Sequence, residues 1–168
     1  SYRLAHRSLL GELARLTLLA ADLQDHRARL DGRGVAALAD DAQALCRRLL
    51  AHLRVEDEVL WPVLTAAAGP AVDLAPLRDD HEVLRMLAGR VEDGAFGLVD
   101  LTADGLEPAE QALPPLGHAL AELREALQEH IDDEERDCFP AIAAYVPAED
   151  FAPVAAQLFD GVRPRPGA

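Results

Sequence analysis

Four stretches of this chain repeat a residue of one kind every third or fourth position, and each runs for several helical turns. The first is His6, Leu9, Leu13, Leu16, Ala20 and Leu23; the second is Leu45, Leu49, His52, Glu56, Val59 and Val63. The third is Leu74, Leu77, His81, Leu84, Ala88 and Val91; the fourth is Leu116, Leu120, Leu123, Leu127, His130 and Glu134. Alternating steps of three and four trace one buried stripe along an α-helix. Leu and Ala dominate, and aromatic residues make up only 4%, which favours helix over strand. At 168 residues and 50% hydrophobic content, one domain with a real core is expected, not a disordered chain. Four stripes therefore predict an all-α fold, a four-helix bundle.

The breaks between stripes agree. Asp31-Gly32-Arg33-Gly34 is read as the end of the first helix and Gly69-Pro70 as the end of the second. The stretch from Gly94 to Pro108 reads as a longer loop. The fourth helix then begins near Glu107-Pro108, with Pro114-Pro115 as a kink or a later start, and Pro147 ends it. A short further helix carries Phe151, Val154, Leu158 and Phe159 on one face, followed by a frayed tail from Val162. The expected organisation is a bundle over residues 1–146, with a helix and tail at 147–168 packed on it. Short connections make sequential helices antiparallel neighbours.

Sixteen basic residues against 30 acidic ones leave a net charge of −14, which argues against nucleic-acid and anionic-membrane partners. No apolar run approaches the roughly 20 residues of a membrane span. The expected protein is soluble and cytoplasmic, a monomer or homodimer.

The stripes contain the wrong residues for a plain core. Any one histidine there reads as a hydrogen-bonded core residue. Four histidines and two glutamates together (His6, His52, Glu56, His81, His130 and Glu134) are another matter, because unpaired buried ions cost several kcal/mol each. His52-x-x-x-Glu56 and His130-x-x-x-Glu134 each place two side chains on one helix face, roughly 6 Å apart along the axis. Each pair is followed at the same offset by an aromatic residue and a proline, Trp61-Pro62 and Phe139-Pro140. The chain thus reads as two related halves, each contributing a lone His and an HxxxE pair. Counting outward from the turns, Glu56 is 13 residues before Gly69 and His81 is 12 after it, while His81 and His130 lie 24 before and 25 after Gly105. Around Gly32, His6 is 26 residues back and Glu56 is 24 forward. At about 1.5 Å per residue, all six side chains can meet in one layer.

Six such ligands suit two metal ions bridged by Glu56 and Glu134, with about two imidazoles for each. Imidazole with carboxylate suits iron, manganese or zinc. Zinc would be content with a single tetrahedral site, and no thiolate set is present. Two iron ions with an oxo or hydroxo bridge are favoured over Mn or Zn, with coordination positions left open. The ferritin-like pattern of single Glu ligands plus Glu-x-x-His pairs is absent. Cys46 and Cys138 match no zinc motif, and in a bundle they fall on opposite sides of the histidine level, roughly 21 Å apart along the axis, too far for a disulfide.

On these residues the chain resembles the hemerythrin-like family, the HHE cation-binding domains, of the H…HxxxE…H…HxxxE subtype. The matching pieces are Ala5-His6-Arg7, His52 to Glu56 running on to Trp61-Pro62, Asp80-His81-Glu82, and Glu129-His130 to Glu134 running on to Phe139-Pro140. The resemblance spans roughly Leu4 to Tyr145 and implies an up-down-up-down bundle with a non-heme di-iron centre. Oxygen carriers of the family have an additional His one turn from the third-helix ligand; here those positions hold Leu77 and Arg85. The resemblance therefore implies handling of oxygen, peroxide or reactive oxygen and nitrogen species, with catalase- or peroxidase-like activity, over reversible oxygen storage. Its ligand would be a diatomic molecule or peroxide. The alternatives are a sensor or binding protein for oxygen, nitric oxide or iron, and a di-iron oxygenase with an apolar substrate pocket beside the metals.

Other residues are weighed lower. His26 and His118 fall off the stripes, and Glu58, Glu129 and Glu135 read as neighbouring or surface charges. Tyr2 and Tyr145 are set below the six as well, a place at the mouth of the site as hydrogen-bond donors or an unusual ligand being the lesser reading of them.

Overall fold

The structure, a computed structural model, describes residues 2–25, 31–102 and 106–162. The side chains at 100–102, 106–108 and 159–162 lie outside that description, as do His26 and Phe159 of the sequence reading. The described backbone forms α1 (Tyr2–Gln24), α2 (Gly32–Val55), a π turn (Glu56–Leu60), α3 (Trp61–Ala68), a 3-10 turn (Gly69–Ala71), α4 (Ala75–Thr102), α5 (Leu106–Tyr145) and α6 (Ala148–Val162). α2 to α3 is one rod, so α1, this rod, α4 and α5 make an up-down-up-down four-helix bundle, with α6 laid against α1 and α2.

The first, third and fourth stripes are buried as expected, every residue of each. The second is buried only as far as Glu56. Beyond it Val59 and Val63 are half-buried, and Leu60, Trp61 and Leu64 take the core positions. The cause is the π turn. The Trp61 N–H bonds to the Glu56 carbonyl, five residues back, which inserts one extra residue into the ladder and rotates everything after it.

Three boundaries also differ from expectation. Asp31-Gly32-Arg33-Gly34 opens α2 instead of closing α1: the Asp31 carboxylate accepts the Gly34 N–H at 2.7 Å as an N-cap. The expected loop at Gly94–Pro108 is mostly helix, since α4 runs to Thr102 and α5 starts at Leu106. Gly94 is helical because the helices approach closely there; a Cβ on it would lie 3.3 Å from Leu116 Cδ1. α5 also passes through Pro114 and Pro115 without a break, and burial of Leu113 and Leu116 offsets the two lost N–H donors. Gly69, with φ of 56°, closes α3 as the sequence indicates.

Two apolar clusters fill the bundle. One gathers Leu9, Leu49, Leu53, Leu84 and Leu127; the other gathers Tyr2, Leu60, Trp61, Leu77 and Cys138. On every helix the six polar stripe residues fall between members of these two clusters. They form a polar layer sandwiched by apolar ones.

Candidate metal centre

His6, His52, Glu56, His81, His130 and Glu134 are each no more than 2% exposed, and they are the buried polar and charged residues among those described. α1 contributes His6, α2 and the π turn contribute His52 and Glu56, α4 contributes His81, and α5 contributes His130 and Glu134. Glu56 Oε1 lies 2.8 Å from His52 Nε2 and 3.9 Å from His6 Nε2, while its Oε2 lies 3.3 Å from His81 Nε2. Glu134 Oε2 lies 3.2 Å from His6 Nε2, and the Nε2 atoms of His81 and His130 face each other at 3.2 Å. Two groups of donor atoms result, His6–His52–Glu56 and Glu56–His81–His130, each with all its donors within 4.8 Å and sharing Glu56. These two groups take in five of the six residues singled out from the sequence; Glu134 stands outside both and joins the layer through His6 Nε2 and the Tyr2 hydroxyl.

The outer faces of the rings explain why Nε2 points inward. His6 Nδ1 is 3.2 Å from Glu135, His81 Nδ1 is 3.1 Å from Asp57, and His130 Nδ1 is 3.4 Å from Asp80. A carboxylate there holds the ring proton on Nδ1 and leaves the Nε2 lone pair facing the layer. Each of these carboxylates stands next in sequence to a layer residue but serves the histidine of a different helix. His52 Nδ1 has no such partner. Arg85 pairs with Asp57 and Glu82, and Leu77 lies in the apolar cluster, so α4 gives the layer one imidazole.

The donor set fits a cation. His6 Nε2, Glu56 Oε2 and Glu134 Oε2 are buried and make no hydrogen bond, although neighbours lie within 3.3 Å. The atoms are close but not aligned as N–H···O pairs. Two imidazole lone pairs 3.2 Å apart also repel unless positive charge lies between them. Burial pushes His6 down, but the carboxylates of Glu134 and Glu56 outweigh it and hold the imidazole up at about 10. Burial pushes Glu56 up, yet His52, His6 and His81 together keep its carboxyl well below the usual range. His130 is lowered by burial.

Tyr2 belongs to the layer as well. Only 5% exposed, it donates its hydroxyl to Glu56 Oε1 at 2.7 Å and to Glu134 Oε1. Burial, together with the charges of Glu134 and Glu56, raises it well above its ordinary value, so the phenol keeps its proton. The signal was present: Tyr2 precedes His6 by four residues, one turn along the same face. Tyr145 is exposed and away from the layer, as are His118, Glu58 and Glu129. Two rings flank the layer: Trp61 stacks on His81 at 4.3 Å between centroids, and Phe139 stacks on His6 at 6.1 Å.

An antiparallel bundle with imidazoles and carboxylates converging in its core defines a class, the helical cation-binding proteins. The profile of the hemerythrin HHE cation binding domain matches residues 2–142, and the chain belongs to that family. Comparison with characterised proteins and with solved structures gave no match. No helix among the described residues is long and apolar enough to cross a membrane.

Proposed function

We propose that His6, His52, Glu56, His81, His130 and Glu134 would hold two iron ions, with Glu56 common to the two donor groups, and that the protein handles oxygen, peroxide or related reactive species in the cytoplasm. One observation carries the reading: two three-donor groups that share Glu56. Iron suits a mixed imidazole and carboxylate set better than a thiolate-selecting metal does. Such a pair supplies one-electron redox chemistry and open positions for a small oxygen ligand. The chain's own residues do the rest. Glu135, Asp57 and Asp80 orient three of the imidazoles. Tyr2 holds a proton at its hydroxyl oxygen, against both glutamates. The apolar clusters on either side exclude water.

The single imidazole from α4 favours turnover of peroxide over reversible storage, because it leaves that metal position with fewer nitrogen donors. Elemental analysis after loading under reducing conditions tests the centre: two irons per chain are expected, and one or none rejects the pair. Oxygen evolution on adding peroxide to the loaded protein supports turnover. A reversible spectral change with oxygen and no turnover moves the reading to a sensor or carrier.

A further inference from the structure

Beside the polar layer lies a cavity of about 550 Å³, within the roughly 300–1,000 Å³ usual for small-molecule sites. Phe139, Ile142, Phe151 and Ala155 are among its apolar walls, and Tyr2 and Arg3 add polar atoms to its lining. The Tyr2 ring separates the cavity from the carboxylates that its hydroxyl touches. Arg3, whose side chain is 56% exposed, sits with its guanidinium carbon 5.0 Å from the centre of the Phe139 ring. Among the described residues no carboxylate lines the cavity, and Arg3 is the one charged residue that does. Arg3 thus puts a guanidinium at the edge of an apolar space.

We propose that this cavity is a binding site for a small amphipathic anion, an apolar chain or ring bearing one carboxylate, with the carboxylate on Arg3 and the apolar body against Phe139, Ile142 and Phe151. Arg3 Nε pairs with Glu135 at 3.2 Å, and a guanidinium has four further N–H donors for an incoming anion. The same Glu135 meets His6 Nδ1, so a ligand on Arg3 lies two ion pairs from the polar layer. Binding itself does not depend on metal, which separates this site from the reading of the layer.

Calorimetric titration of the full chain with octanoate, 1-octanol and acetate tests the site, using both metal-stripped and iron-loaded protein. Octanoate is expected to bind at one per chain in both forms, and acetate not at all. Octanol is expected to bind roughly tenfold or more weakly, the worth of a charge-assisted hydrogen bond. Arg3→Gln is expected to abolish the preference for octanoate over octanol, and Ala155→Trp to block both by filling the cavity. Equal binding of octanol and octanoate to the unaltered chain would reject the anion site and leave an unselective apolar patch. So would octanoate binding that survives both variants, or its absence from the stripped, folded chain. Metal content, measured separately, reports on the layer alone.

Discussion

Replacing Glu56 by Ala should empty the whole centre and not half of it. Glu56 belongs to both donor groups: one oxygen is 2.8 Å from His52 and the other 3.3 Å from His81. A ligand that binds only the folded state adds about 4 kcal/mol when its free concentration is about 1,000 times its Kd, so two ions add about 8 kcal/mol. For a chain of this size each kcal/mol is worth about 2–4 °C, so loading should raise the unaltered protein's melting temperature by about 16–32 °C. In Glu56→Ala the gap between loaded and stripped protein should collapse, with metal analysis falling from two irons to none. Comparing loaded with stripped forms of the same variant cancels the cost of removing a buried carboxylate. Glu134→Ala should behave alike. Glu135→Gln, which alters the carboxylate shared by His6 Nδ1 and Arg3 but no donor of the layer, should keep two irons with affinity lowered by about 10–100-fold. Retention of one iron and half the thermal gap in Glu56→Ala would refute a shared carboxylate.

Tyr2→Phe removes a hydroxyl from two buried carboxylates and should cost the stripped protein about 1–3 kcal/mol, read as a lower urea midpoint. Stripped and loaded protein should respond to pH in opposite senses. His6, held up at about 10, stabilises the stripped fold fully below its unfolded value near 6.5, and that contribution fades as pH rises toward 10. Loaded protein should instead release iron and lose stability as pH falls below about 6, where protons compete for the imidazoles; melting curves across pH with parallel slopes would contradict this. Cys46 and Cys138, both free, buried and pushed up to about 12 by burial, should resist a thiol reagent in the native state. Both should react on unfolding without reductant.

The six layer residues were legible because each keeps step with an apolar stripe, and a buried stripe tolerates charge only where something balances it. The positions of Val59 and Val63 were not legible, since counting in threes and fours assumes an α ladder and the π turn breaks it at Glu56. The helical course of residues 94–102 was hidden because glycine marks both loops and close helix contacts, and at Gly94 the contact with Leu116 decides. Tyr2 belongs to no ligand-spacing motif; only its register with His6 points it inward. Asp57 and Asp80 carry no period of their own and are placed by the neighbouring helix, which local counting does not see.

The two aromatic stacks have an architectural consequence. Trp61 comes from the first HxxxE half and covers His81 of the second, while Phe139 comes from the second and covers His6 of the first. Glu134 likewise reaches across to His6, and Glu56 to His81. The repeat units are interlocked like clasped hands: each supplies the roof over the other's lone histidine and lacks its own. A chain severed between Val72 and Asp73 yields two fragments that need each other to rebuild either ring stack, and duplication of a single HxxxE hairpin becomes useful only once both copies are present.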